Sequence, residues 1–257
     1  GMATVIAWTN LQTAVLVQAG ITLAVLCLVV AWLERPGERR FPWSPGSSQA
    51  TVGHNTFGMK ITFRELKRAL SHRTTATLVV VAAVYIMVEG LYDPLTVEYF
   101  VQHLGWPAER FARAQGTLGV LGELLGALTG GYLCDRVGRR RIAALGMLMM
   151  SLSLLTFALT STWWDRAWYP HVLLLPAFKG TLAFTTVAMF ALFMKVCWTR
   201  AAATQFTLYM AMANVGYAVG AKLNTWIEQA GLDLSLADFY LLGGLLALLP
   251  LILMGSL

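Results

Sequence analysis

Seven long apolar runs dominate the chain, at about 11–33, 75–97, 111–134, 142–162, 170–197, 204–226 and 238–256. At 1.5 Å per residue a helix needs about 20 apolar residues to cross a hydrocarbon layer of about 30 Å, and each run exceeds the ~18 that separate a span from a buried core helix. Only 12% of the residues are charged and 57% are hydrophobic, whereas soluble domains carry roughly 25% charged residues. A single soluble core is excluded. The expected fold class is an all-α integral membrane protein of about seven transmembrane helices, with the lipid bilayer as its solvent.

The formal charge of +6 is topological in this reading. The basic residues fall between the apolar runs and form no nucleic-acid motif, so no nucleic-acid partner is expected. Fourteen Lys and Arg residues, among them Arg35, Arg64, Lys67, Arg136, Arg139, Arg140, Arg141 and Arg200, lie on one side of the predicted spans, against Arg110, Arg113 and Arg166 on the other. Basic residues near span ends stay in the cytoplasm. The N-terminus is therefore expected outside and the C-terminus inside, and the first run is expected to be a span rather than a cleaved signal peptide, because no basic region precedes it. Cys27, Cys134 and Cys197 match neither a zinc site nor a disulfide framework. No metal and no cofactor are expected.

Residues 34–74 break the apolar pattern, opening with ERPGERRFPWSPGSS and closing on the basic stretch KITFRELKRALSHR. This reads as a cytoplasmic linker. Within it Thr62 and Glu65 have the spacing of a capping box, and Phe63, Leu66 and Leu70 recur at helical intervals, which predicts a short interfacial helix. Trp163, Trp164, Trp168, Tyr169 and Trp198 cluster near span ends, where amphipathic rings anchor at the lipid headgroups. His54, His72, His103 and His171 fall in connections and are expected to be solvated.

Between the third and fourth runs the sequence reads GGYLCDRVGRRR, Gly130 to Arg141. Through Gly131, Leu133, Asp135, Arg136, Gly138, Arg139 and Arg140 it resembles the signature loop of the major facilitator superfamily, G-x-L-x-D-R-x-G-R-R. A tight cytoplasmic turn suits these residues. Gly131 is expected to permit close helix approach, Gly138 to take a backbone conformation closed to other residues, and Asp135 to accept hydrogen bonds from a helix N-terminus or from Arg139. The resemblance implies that the loop follows the second helix of a six-helix half. Residues 75–257 then form a C-terminal transporter half, residues 1–33 hold the last helix of the preceding half, and 34–74 is the central linker. It also implies a partner: a missing N-terminal half, or a second copy.

A finer similarity lies in ATQFTLYMAMANVGYAVG, Ala203 to Gly220, with FYLL at Phe239 to Leu242. It resembles the anhydromuropeptide permeases and acetyl-coenzyme A transporters, which implies a muropeptide-like or acyl-carrier-like anion as solute. Two features depart from that pattern: EGLYDP in the first helix of the half, and Lys179 where an acidic residue is usual.

Ionisable groups inside a bilayer cost at least about 2.5–3.5 kcal/mol and are functional candidates by default. Glu89 and Lys179 lie about 12 Å and 13 Å from the outer ends of their spans at 1.5 Å per residue, a common depth. Asp93 follows Glu89 by one turn, and Gly90 and Pro94 predict a broken helix beside these acids. Glu123 lies beside the glycine face Gly119, Gly122, Gly126 and Gly130. Asn214, Tyr217 and Gln205 add polarity to the run at 204–226. The runs at 11–33, 142–162 and 238–256 carry no charge in their cores, as expected of lipid-facing helices around a cavity. The resulting expectation is secondary active transport of a small molecule, with proton symport through Glu89, Asp93 or Glu123 and with Lys179 and Asn214 contacting substrate, in a bacterial inner membrane. An ion pair between Glu89 and Lys179 that only fixes packing is the structural alternative. A seven-helix receptor or retinal protein would share the helix count, but the last run lacks the lysine that retinal needs. No nucleophile motif, phosphate loop or metal cluster suggests an enzyme.

Overall fold

The computed structural model describes residues 11–31, 67, 70–166, 168–197, 202–232 and 234–255. It divides into two compact units, Gly1–Phe63 and Arg64–Leu257. The first contains α1, Leu11–Ala31, a helix with no charged residue. The predicted interfacial helix near residues 62–70 lies almost wholly outside the described residues, as does Trp198.

Among its described residues the second unit is a bundle of six long helices. α2 spans Arg73–Val97 and runs on through a π-helical turn, Glu98–His103. α3 runs from Ala108 to Val137, with a π turn at Gln115–Gly119. α4 spans Arg139–Leu159, and α5 runs from Tyr169 to Val196 with a π turn at Leu173–Phe178. α6 spans Ala202–Gln229, and α7 runs from Leu236 to Gly255, with a turn at 247–248. Five helices, α2, α3, α4, α5 and α7, are long and apolar enough to cross a membrane. α6 has the length, at 28 residues, but Gln205, Asn214, Lys222 and Asn224 lower its apolarity. Among the described residues, five of the seven predicted runs thus meet both criteria, the run at 11–33 forms the uncharged helix α1, and the run at 204–226 lies in the more polar α6.

Small residues set the close pairs. A Cβ on Gly126 would collide with the backbone of Gly180, and one on Gly216 with the backbone of Ala83, so α3 lies directly on α5 and α6 directly on α2. In lipid, where burial of apolar surface gives no net drive, close backbone approach of this kind is a main source of helix association. The contact stripe on α3 is Gly122, Gly126 and Gly130, four residues apart on one face. Gly131 lies about 100° further round, and its Cβ would meet only Val187 at an ordinary 3.7 Å. The close approach expected of Gly131 therefore belongs to Gly130, whose Cβ would come within 2.9 Å of the Phe184 carbonyl oxygen.

The helix break expected at Gly90 and Pro94 is also displaced. α2 stays helical through Pro94 and loosens only at Glu98. Proline costs one backbone hydrogen bond, a loss that packing against neighbouring helices makes tolerable within a span. Here Gly90 lies against the α6 backbone at Tyr217. Between α3 and α4 a single residue makes the turn: Gly138, at φ +109°, a conformation essentially closed to residues with a Cβ.

Two apolar clusters fill the bundle, one around Tyr99, Phe157, Trp164 and Tyr240, the other around Tyr85, Met147, Phe193 and Tyr209. The tryptophans expected as one belt divide. Trp163 and Trp168 are exposed, but Trp164 is only 5% exposed and donates its indole N–H to the Phe157 carbonyl at 2.9 Å. Tyr99 in turn donates to the Trp164 carbonyl at 2.9 Å. His103 is exposed, as expected, beside the Tyr99 ring at 5.5 Å, whereas His171, expected in solvent, is half-buried against the Trp106 ring at 4.5 Å.

Candidate functional site

A cavity of about 670 Å³ opens on one side of the bundle. α2 contributes Tyr85, Ile86 and Glu89 to its wall, α3 Val120, Glu123 and Leu124, α5 Lys179, Leu182, Thr186 and Phe190, and α6 Met210, Asn214 and Tyr217. None of the lining residues comes from α4 or α7, whose sequences carry no charge in their cores. The wall is mostly apolar, with the ionisable groups concentrated toward one end.

Lys179 is the centre of that charged end. It begins the regular part of α5, directly after the π turn that contains Pro176. Its residue is 7% exposed, and its ammonium lies 3.1 Å from Asp93 Oδ1 and 3.7 Å from Glu89 Oε1. Tyr217 of α6 donates its hydroxyl to the other Asp93 oxygen at 2.9 Å. Beneath the lysine the Tyr92 ring lies 5.5 Å from the ammonium. That ring stacks on Phe178 at 3.8 Å and is fixed by a 2.7 Å hydrogen bond to the Leu174 carbonyl. Taking a lysine from water is costly, and a charge-assisted hydrogen bond, a second carboxylate and an aromatic face offset that cost together.

The two acids of α2 are therefore unequal. Asp93 has both oxygens engaged at hydrogen-bond distance, whereas Glu89, among the described residues, has the longer contact with Lys179 alone. Glu123 lines the cavity from α3 and is exposed within it, outside the Lys179 cluster. Two carboxylates thus face one ammonium, and a third, Glu123, lines the cavity apart from them. Asn214 lines the same cavity, but Gln205, on the same helix, does not. Its amide donates to Thr75 at 3.2 Å and to Tyr209 at 2.9 Å, fastening α6 to α2 near their starts.

Following charge alone along the sequence singles out Glu89, Asp93, Glu123 and Lys179, but misses Tyr92, Tyr85 and Thr186. Tyr85, Glu89 and Asp93 recur every fourth residue of α2, a spacing that places all three on one face. Tyr92 carries no such signal, because its role depends on where α5 places Lys179.

The signature-loop residues lie away from this cavity. Gly138 makes the turn, Arg139 donates to the Ala191 carbonyl at 3.2 Å, and Arg140 donates to the carbonyl of Met254. The loop thereby holds the ends of α5 and α7. Arg136 stacks over the Tyr132 ring at 4.5 Å. Asp135 is exposed, and Arg139, one of the two partners expected for it, is turned toward α5 instead.

Comparison with known proteins adds an independent line. The sequence profile described as Major Facilitator Superfamily matches residues 1–221. The multidrug resistance proteins MdtH of Shigella boydii serotype 4, Photorhabdus laumondii subsp. laumondii and Escherichia coli O1:K1 are each 29% identical to this chain over 136 residues, covering 53% of it and 32% of the relative. The match thus spans about a third of the length of these curated relatives.

Proposed function

Because this chain belongs to the major facilitator superfamily, we propose that it forms the C-terminal half of a proton-coupled transporter for a small amphipathic solute carrying positive charge. The observation that carries this reading is the unequal engagement of two acids at one lysine of the cavity wall: Glu89 lines the cavity, whereas Asp93 meets Lys179 outside that lining. Asp93 is held by Lys179 and Tyr217 and acts as the fixed counter-charge. Glu89, with its single contact at 3.7 Å, is the carboxylate with capacity to exchange a proton, and Glu123 is the second acid a solute would meet.

The charge balance also bears on the solute. Lys179 is already neutralised by the two acids of α2, so it offers little to the anion implied by the resemblance to muropeptide permeases. Three carboxylates against one ammonium favour a cation, and the apolar wall of Ile86, Val120, Leu124, Leu182, Phe190 and Met210 favours a greasy one. The relatives' name, multidrug resistance protein, is consistent with such solutes. The basic residues of the linker and signature loop support an N-out, C-in orientation in a bacterial inner membrane. The other half of the cavity comes from an N-terminal partner segment or from a second copy.

The test is uptake of tetraphenylphosphonium by proteoliposomes containing the full-length protein, driven by an imposed pH gradient. Glu89→Gln should abolish the pH-driven component and leave downhill exchange of the cation intact. If Glu89→Gln and Asp93→Asn, alone and combined, leave pH-driven movement unchanged, the coupling reading fails.

A further inference from the structure

We infer that the hydroxyl of Tyr85 is a second recognition point in the cavity, taking a hydrogen-bonding group of the solute about one helical turn from the charge that Glu89 attracts. The inference rests on the proposed transport of a cation and specifies what else that cation must carry.

Tyr85 is fully buried, with no measurable exposure of the residue. Its ring forms part of the cavity wall, yet its hydroxyl finds no hydrogen-bond partner among the described residues. Buried hydroxyls are rarely left so, since the group gives up its bonds to water and gains nothing in return. Thr186 of α5 is its polar neighbour across the wall but does not complete a hydrogen bond to it. Asn214 of α6 lines the same cavity. Polar side chains from three helices thus line one cavity, and the Tyr85 hydroxyl has no hydrogen-bond partner among the described residues.

The contrast with neighbouring tyrosines is informative. Tyr92 bonds the Leu174 carbonyl and Tyr217 bonds Asp93, so both are committed to the protein. Tyr85 stands four residues before Glu89 on the same face of α2, a rise of about 6 Å. A solute whose cationic centre lies beside Glu89 and whose carbonyl, ether or N–H lies about 6 Å away reaches both, entering between Tyr85 and Thr186 and supplying the missing partner. A phenol both donates and accepts, so either polarity of solute group is served. The preferred class is an amphipathic cation bearing such a group.

Two cations separate the contributions. Tetraphenylphosphonium carries charge and apolar surface but no hydrogen-bonding atom. Rhodamine 6G carries charge, an ester carbonyl and N–H groups. Binding of each to the purified full-length protein is measured by equilibrium dialysis, for wild type and for Tyr85→Phe, which keeps the ring and removes only the hydroxyl. Tyr85→Phe should weaken rhodamine 6G roughly three- to tenfold, the ordinary worth of one hydrogen bond, and leave tetraphenylphosphonium unchanged. Its melting temperature should equal or exceed that of wild type, because no protein bond is lost. Equal affinities of wild type and variant for rhodamine 6G would overturn the inference, and so would a similar loss for both probes, which would make Tyr85 a shape determinant. A wild type that binds tetraphenylphosphonium but shows no Tyr85 effect sinks this inference alone, while one that binds neither cation removes the proposed solute class with it.

Discussion

The ammonium of Lys179 on α5 lies 3.1 Å from Oδ1 of Asp93 on α2, and the second oxygen of that carboxylate accepts a hydrogen bond from Tyr217 on α6. One aspartate therefore ties together three of the four helices that wall the cavity. Each of the close pairs, α2 with α6 and α3 with α5, is already joined by glycine contacts. The Asp93 cluster joins one pair to the other.

Removing one partner should cost more than removing both. Lys179→Met leaves Asp93 partly buried without its cation. Asp93 keeps 29% of its side-chain exposure, so the loss should be about 1–3 kcal/mol, below the roughly 3–5 kcal/mol of a fully buried pair. The double variant Lys179→Met, Asp93→Asn should recover part of that loss. Thermal unfolding in detergent, read as a double-mutant cycle, checks it, and a coupling energy near zero would contradict the arrangement.

Glycine contacts should be sensitive by position rather than by residue type. Gly126→Ala places a methyl into the Gly180 backbone and should destabilise by about 1–3 kcal/mol, the range for overpacking. Gly116→Ala meets nothing within 4 Å and should leave the melting temperature within a degree or two.

The turn between α3 and α4 should tolerate no side chain. Gly138→Ala meets no steric obstacle in space, so its cost is conformational, about 1–3 kcal/mol from the positive φ. A variant as stable as wild type would show that the turn relaxes into another conformation.

Two neighbouring tryptophans should behave differently. Trp164→Ala removes a ring buried among Tyr99, Phe157 and Tyr240 together with its bond to Phe157, at about 3–5 kcal/mol. Trp168, 58% exposed, should cost less than about 1 kcal/mol when replaced by Ala. Comparable losses at the two positions would place them in the same environment and refute the division.

Much of this architecture is legible in the order of residues alone. The runs without charge at 142–162 and 238–256 become α4 and α7, neither of which lines the cavity. Counting residues along their runs places Glu89 and Lys179 at one depth, and their side chains meet. The departures share a cause. Gly130 makes the contact expected of Gly131, Arg139 faces α5 rather than Asp135, and Trp164 is buried while its neighbours are exposed. The first two depend on the rotation of a helix about its axis by about 100° per residue, the third on the turn between α4 and α5, and neighbours that fix them, Phe184, Ala191 and Tyr99, lie far away in sequence.

The sequence by itself determined that this chain is a set of membrane helices, where a polar stretch separates the apolar runs, where a glycine must turn the chain, and which helices carry charge. These are local properties: run length, composition and backbone freedom within a few residues. Only the tertiary structure decided that Lys179 is bonded by Asp93 more closely than by Glu89, that Tyr92 and Tyr217 support the pair, and that Tyr85 is left with an unused hydroxyl. Those outcomes turn on small differences in distance between side chains on separate helices, set by how closely Gly126 and Gly216 allow the backbones to meet.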